Sequence, residues 1–222
     1  MKNRKAYLFD IDGTLLRLKN KANQQIIFEM LRDYGASEKE VQSFDFAGKT
    51  DRNIFSRLLN HPSEEDFDIA KSRYLHALEN RLSNEDIHVY DGVDEALAYV
   101  KSTDAPVGLL TGNFEKAARI KLEKSRLSHH FSFGAYGDHH HHRNDLAVLA
   151  LKNLNAFSES PYSAKALVII GDTPRDIECA RHIGATALAV STGYYSDAEL
   201  EKFHPDVVLP SLSELKDWDE AN

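Results

Sequence analysis

Cysteine is almost missing from this 222-residue chain, with Cys179 the single one. One thiol forbids an intramolecular disulfide and any zinc site built on cysteines. Long apolar runs are missing too. The basic residues Lys2, Arg4 and Lys5 are followed by an apolar run, Ala6 to Phe9, that stops at Asp10. A signal peptide needs about 7–15 apolar residues there and a transmembrane helix about 20. The expectation is a cytoplasmic protein with no membrane partner. Positive charge is not in excess either: 27 Lys and Arg stand against 35 Asp and Glu, a formal net charge of −8. That balance argues against non-specific nucleic-acid binding and against an anionic membrane surface. It leaves room for a phosphorylated small molecule, which one local cluster of positive groups can hold. There is no internal repeat, no low-complexity linker and no sustained heptad.

What is present suffices for a core. With 42% apolar, 28% charged and 9% aromatic residues, the chain is neither disordered nor dependent on staples. Its length suits one large domain, or a core carrying a smaller insertion. Ala6–Phe9, Val107–Leu110, Leu167–Ile170 and Ala187–Val190 are unbroken apolar runs, the pattern of parallel strands buried on both faces. Val207–Leu209 and Phe131–Ala135 are weaker candidates. Amphipathic stretches lie between them, at Asp94–Lys101, Glu115–Arg126, Arg143–Leu154 and Pro174–Ile183. Strand and helix in alternation predict an α/β fold, a Rossmann-like doubly wound parallel sheet with right-handed crossovers.

From about Arg17 to Ile87 the rhythm changes to helical spacing alone, with no convincing strand. Ile26, Ile27, Met30, Leu31 and Tyr34 share a face, as do Ile54, Phe55, Leu58 and Leu59; Phe67, Ala70, Tyr74, Leu75, Leu78 and Leu82 make a third. Ser37–Glu40 has capping-box spacing, and Ser63–Asp66 a weaker version. The division is a catalytic core of residues 1–16 and 88–222 with an inserted all-helical cap of residues 17–87.

Three predicted strands end in polar clusters: Asp10-Ile11-Asp12-Gly13-Thr14, Thr111-Gly112-Asn113 and Gly171-Asp172-Thr173-Pro174-Arg175-Asp176. Ligands of open α/β sheets bind beyond the carboxyl ends of the strands, so the three should converge. Gathering Asp10, Asp12, Asp172 and Asp176 without compensation is electrostatically costly. A hard divalent cation, most plausibly Mg²⁺, resolves the repulsion and also binds a phosphate oxygen. A carboxylate can be a nucleophile, provided positive charge meets the phosphate it approaches.

Asp-Ile-Asp-Gly-Thr-Leu-Leu after an N-terminal strand, Leu-Thr-Gly-Asn mid-chain and Gly-Asp-Thr-x-x-Asp near residue 172 resemble the haloacid dehalogenase superfamily. Within it the chain is similar to phosphatases with a helical cap after the first strand, the phosphoglycolate phosphatase-like group. The resemblance covers the whole chain. It implies that Asp10 is the nucleophile and that Asp12 protonates the leaving group, then activates water. It implies Mg²⁺ ligation by Asp10, Asp172 and the backbone carbonyl of Asp12, with Asp176 in the outer shell. Thr111 would hold the transferring phosphoryl group, with backbone N–H groups around Ile11 and Gly112; Asn113 belongs to the same substrate-facing cluster. The family's positive residue usually opens a helix between the second and third clusters as Lys. Here Arg143 takes that place, offering a fork of donors instead of a point charge.

Several residues have a structural reading beside the functional one. Thr173-Pro174-Arg175-Asp176 reads equally as an N-cap, a proline at N1 and an acid at N3, so Asp176 either starts a helix or also orients the metal site. Thr111 could instead cap the next helix. Lys121, Lys124 and Arg175 read as solvated helix charges. His139–His142 reads as an exposed loop at the lip of the site, since adjacent residues cannot all face one ion; a native zinc or nickel site there is the alternative. His129 and His130 read as surface, and Cys179 as buried and inert. In the cap, Phe46-Ala47-Gly48-Lys49-Thr50-Asp51-Arg52 contains a turn and a helix start. Similar capped phosphatases point this loop into the active site, where Lys49 and Arg52 could recognise a carboxylate or second phosphate on the substrate.

The leading expectation is thus an Mg²⁺-dependent phosphatase of a small phosphorylated metabolite, of which a phosphoglycolate-like compound is an example. The alternatives are a phosphosugar mutase of the same superfamily and a catalytically silent metabolite-binding protein. A dehalogenase does not fit, because Asp12, the acid an alcohol leaving group needs, is present.

Overall fold

The four residues Ala6–Phe9 have no exposed member, and alternate side chains face two separate apolar layers. Tyr7 and Phe9 enter one, Ala6 and Leu8 the other. A strand buried on both faces needs helices on both sides. The computed structural model, which describes residues 4–19 and 22–222, supplies them. In chain order the elements are β1 (Ala6–Phe9), β2 (Leu16–Leu18), α1 (Ala22–Leu31), α2 (Glu38–Ser43), α3 (Asp51–Leu58) and α4 (Glu64–Arg81). Next come β3 (Ile87–Val89), α5 (Val93–Ser102), β4 (Val107–Leu110), α6 (Glu115–Lys124), β5 (Phe133–Ala135) and α7 (Arg143–Phe157). The chain ends with β6 (Leu167–Gly171), α8 (Pro174–Ile183), β7 (Thr186–Val190), α9 (Asp197–Leu200), β8 (Val207–Leu209) and α10 (Leu215–Ala221).

Six strands form one sheet in the order β5-β4-β1-β6-β7-β8, and every pair in it is parallel. The order reverses on either side of β1, which creates the crevice where ligands of such sheets bind. The expected doubly wound α/β fold is what the chain adopts. Each sequence-predicted strand is present, and the helices between them differ from their expected ends by at most three residues, Pro174–Ile183 by none.

The segment between β2 and β3 is helical, as its spacing predicts. Ser37 closes a capping box with Glu40, and Ser63 caps α4 by accepting the Asp66 backbone N–H. The inner faces of α3 and α4 meet the core on an aromatic cluster. Phe55 and Tyr74 lie edge-on to Phe114, at centroid distances of 5.3 and 6.4 Å. Full burial of the Phe114 ring is worth about 1.5–3 kcal/mol, which fastens the insert to the start of α6.

The expectation of no strand between residues 17 and 87 needs correction. β2 and β3 pair antiparallel, with Leu16 opposite Val89 and Leu18 opposite Ile87. Leu-Arg-Leu and Ile-His-Val each alternate apolar and polar residues, but three residues are too few to show a period. This short ladder is the stem on which the helical insert stands.

Candidate active site

Register brings the polar clusters together. The last residue of β1, Phe9, is level with Leu109 on one side and Ile170 on the other. Asp10, Thr111 and Asp172 therefore leave the sheet side by side. Gly13 then turns the chain with φ +91°, and a Cβ there would lie 2.1 Å from an Asp172 oxygen. No L side chain fits that turn. A cavity of about 450 Å³ opens over these strand ends, lined by Asp10, Asp12, Asn113, Lys121, Arg143 and Asp172 of the core and by Lys49, Asp51 and Ile54 of the insert. A larger cleft, about 750 Å³, runs along α2 and the end of α3, but no strand-end carboxylate lines it.

Asp10, Asp172 and Asp176 are all buried, and each offers an oxygen within 4.8 Å of the others. Asp176 starts the helix and also faces the other two acids. One oxygen, Oδ2, accepts from the Thr173 hydroxyl and backbone N–H at the head of α8; the other, Oδ1, joins the carboxylate cluster and is ion-paired with Arg143. Arg143 opens α7 and is itself buried. Its Nη2 lies 2.9 Å from Asp10 and 2.6 Å from Asp176, and donates to the Leu110 carbonyl. Burial works against the guanidinium charge, but Asp10 and Asp176 outweigh it and hold Arg143 protonated. Burial also pushes the Asp10 carboxyl up to about 6, against the pull of Arg143, and drives Asp172 well above the carboxylate range, with Asp176 and Asp10 adding to it. One arginine is too little positive charge for three buried acids.

Asp12 stands apart from this cluster. Its carboxylate accepts from Lys121 Nζ at 2.8 and 2.7 Å and from Asn113 Nδ2 at 2.7 Å. Lys121 also donates to Asn113 Oδ1 at 2.7 Å. The expectation that Lys121 is a solvated helix charge is wrong, for its residue exposure is 1%. A buried ammonium needs an anion and hydrogen-bond acceptors, and Asp12 with Asn113 supplies both. The signal was available: Lys121 follows Ala117 by four and Ala118 by three, which places it on the buried stripe of α6. Of the other two charges, Lys124 is half-buried and Arg175 exposed.

Thr111 is fully buried, and its hydroxyl accepts from the backbone and side chain of Asn113 at 3.4 and 2.8 Å. It does not cap α6. The first N–H groups of that helix are met from elsewhere, Phe114 by Asp51 at 2.8 Å and Glu115 by Asp138 at 2.7 Å. Gly112 lies under the insert loop. A Cβ on it would be 2.2 Å from the Lys49 carbonyl oxygen, and its own carbonyl accepts from the Asp51 N–H at 2.7 Å.

The insert loop delivers its residues unequally. Lys49 lines the cavity and is ion-paired with Asp45. Arg52 is not among the lining residues; it pairs with Glu64 at 2.7 Å and lies over the Phe67 ring. Thr50 caps α3 as its sequence position suggests. Asp51 is more than a helix-start acid. Buried in the cavity wall, it carries a carboxyl that burial pushes up to about 7 against the pull of Lys121. No local pattern marks it, because its partner Phe114 is 63 residues away. In the histidine run, His139, His141 and His142 are exposed and His140 half-buried; Arg52 Nε lies 3.3 Å from His141 Nε2. Cys179 is buried, and burial pushes its thiol up to about 12, which leaves no thiolate at neutral pH.

A parallel sheet whose order reverses at β1, with an acid-rich crevice under a helical insert, defines a class of α/β hydrolases. The haloacid dehalogenase-like hydrolase family matches residues 7–190, a span that includes every residue of the site just described, and the chain belongs to that family. It is 24% identical over 208 residues to the pyrophosphatase PpaX of Bacillus mycoides, covering 94% of this chain and 93% of that one. A predicted phosphatase from Clostridium acetobutylicum has the same fold, with a TM-score of 0.78 at 20% identity over 99% of both chains. So does a β-phosphoglucomutase from Clostridium difficile, with a TM-score of 0.71 at 18% identity over 98% of this chain and 96% of that one. The expectation of a haloacid dehalogenase superfamily phosphatase is borne out at the level of family and enzyme class. Among the described residues no helix is long and apolar enough to cross a membrane.

Proposed function

We propose that the protein is a magnesium-dependent phosphomonoester hydrolase that acts on a small phosphorylated metabolite through an aspartyl-phosphate intermediate. The observation that carries this reading is the meeting of Asp10, Asp172 and Asp176 around Arg143 at the foot of one cavity. Three buried acids that share a single arginine as counter-charge suit a hard divalent cation held by oxygen. Asp10, Asp172 and the Asp12 carbonyl would hold Mg²⁺, with Asp176 beside them. Bound there, the ion would supply positive charge next to a non-bridging phosphate oxygen.

The chain's own residues divide the remaining work. An Asp10 oxygen attacks phosphorus, and the bond from phosphorus to the leaving oxygen breaks. Asp12 gives that oxygen a proton. It then takes a proton from a water whose oxygen attacks the same phosphorus, releasing phosphate and restoring the Asp10 carboxylate. Lys121 and Asn113 keep Asp12 aimed for both transfers. Thr111 and the N–H groups of Ile11 and Gly112 cradle the phosphoryl oxygens, and Arg143 offsets their charge. The insert, residues 17–87, serves as the cap over a core of residues 1–16 and 88–222. It opens for substrate on the β2–β3 stem and closes to keep bulk water from the intermediate. With Arg52 turned to Glu64, recognition of a second acidic group falls to Lys49. A phosphoglycolate-like compound fits this description, and the pyrophosphatase relative makes a diphosphate worth including in any screen.

The purified protein should hydrolyse p-nitrophenyl phosphate with Mg²⁺ and stop when EDTA is added. Asp10→Asn should remove turnover; full activity in that variant, prepared free of contaminating enzyme, overturns the nucleophile. The fold shared with a β-phosphoglucomutase favours one second reading, in which the phosphoryl group returns to the substrate. Isomerisation of a sugar phosphate without net release of phosphate would select it.

A further inference from the structure

A second cavity, about 230 Å³, shares Gly48, Lys49 and Arg143 with the catalytic one as a common wall. That volume holds a phosphate ion with several waters. Asn53 and Arg57 of the insert and His141, His142, Arg175 and Glu178 of the core are also in its lining. Glu178 is the one carboxylate there among the described residues, against four cationic side chains. Lys49 is engaged by Asp45, and Arg143 by Asp10 and Asp176. Arg57 and Arg175 are exposed and have no salt bridge among the described residues. In a chain of net charge −8, this is a concentrated positive spot.

Two residues of its lining each carry a buried polar atom with no hydrogen-bond partner among the described residues: Nε of Arg143, whose side chain is 5% exposed, and Oδ1 of Asn53. A buried guanidinium N–H without an acceptor is costly. An anion in this cavity would lie beside two side chains with hydrogen-bonding capacity still unused, and the Asn53 amide, turned over, would offer NH₂ in place of Oδ1. The cavity also lies at the starts of α7 and α8, since Arg143 and Asn144 open one and Arg175 is the second residue of the other. Both helices are positive at that end.

We propose that this cavity binds a small tetrahedral oxyanion, inorganic phosphate, and that its occupancy draws on Arg143 and slows turnover. The binding stands on the cavity alone; the slowing rests on the phosphatase reading above, whose product is this same ion. The site is separate from the carboxylate cluster but contacts it through one side chain.

Titration of inorganic phosphate into the metal-free protein in EDTA, followed by calorimetry, tests the binding. Arg57 and Arg175 line the basic cavity and not the catalytic one, so the binding that their replacement removes reports on the basic cavity. One saturable site is expected, with affinity at least tenfold weaker in the double variant Arg57→Gln/Arg175→Gln. Both positions are exposed, so the fold tolerates the change. No saturable binding, or weak binding that the variant leaves unaltered, marks an adventitious ion only and overturns the site. Kinetics with Mg²⁺ and p-nitrophenyl phosphate test the slowing. Phosphate should lower apparent kcat as well as raise apparent KM, and the kcat effect should vanish in the double variant. Purely competitive inhibition of the unaltered enzyme overturns it. A protein that binds phosphate in the calorimeter but hydrolyses nothing keeps the site and loses the phosphatase reading.

Discussion

Lys121 belongs to a helix that also carries Lys116 and Lys124, yet it alone is fully enclosed. Its three short hydrogen bonds fix both oxygens of Asp12 and the amide of Asn113. A group that must pass a proton twice gains from being held in one place. Lys121→Met keeps the length and removes the charge; kcat should fall about 10²-fold while KM moves little, and Lys121→Arg should restore part of the loss. Steady-state kinetics on p-nitrophenyl phosphate checks this, and an unaltered kcat in the methionine variant sinks the positioning role. Asp10, Asp12, Thr111 and Asp172 were legible in the sequence because each sits at a strand end in a local pattern. Lys121 and Asp51 were not, since their partners are 109 and 63 residues distant. Only the stripe of Ala117 and Ala118 hinted at the burial of Lys121.

At the scale of elements, the docking of α3 against the head of α6 does more than cover the cavity. The helix α6 has no side-chain cap of its own, and its first donors are met by Asp51 and Asp138. Asp138 is in turn held by Lys71 of α4 at 2.5 Å. The start of α6 is thus completed partly by the insert, through Asp51, and partly by a core loop that the insert's Lys71 holds. Gly112 is the contact point, where the loop backbone leaves no space for a methyl group. Gly112→Ala should therefore push the insert away and lower kcat/KM at least tenfold, with faster proteolysis of the insert; wild-type kcat/KM in that variant would show that the contact is dispensable. The six sheet strands and their helices could be read from unbroken apolar runs and amphipathic stretches. The stem strands β2 and β3 escaped, because a ladder of three residues has no periodicity of its own and is defined only by its partner.

The molecule as a whole is closed at its C-terminus by Asp219. This carboxylate on α10 accepts from Lys5 at 2.8 Å, Tyr7 at 2.5 Å and Tyr99 at 2.8 Å, joining the last helix to β1 and α5. Although burial opposes it, these donors hold the Asp219 carboxyl below its ordinary range. A depressed carboxyl contributes stability above the pKa it has in the unfolded chain, and that contribution is lost as pH falls through the folded value. Asp219→Asn should then cost about 1–3 kcal/mol at pH 7, and its melting temperature should approach that of the unaltered protein near pH 3. Thermal melts across that range decide it, a gap that stays constant with pH being the contrary result. The stem has a consequence at this scale as well. Leu18 and Ile87 are direct partners, about 5 Å apart by ladder geometry, so the chain leaves the core and returns through one doorway. A two-residue hairpin turn could span that gap. The helical insert, under a third of the chain, is thus joined to the sheet at one place, and its length or sequence can change without moving a strand of the part that carries Asp10.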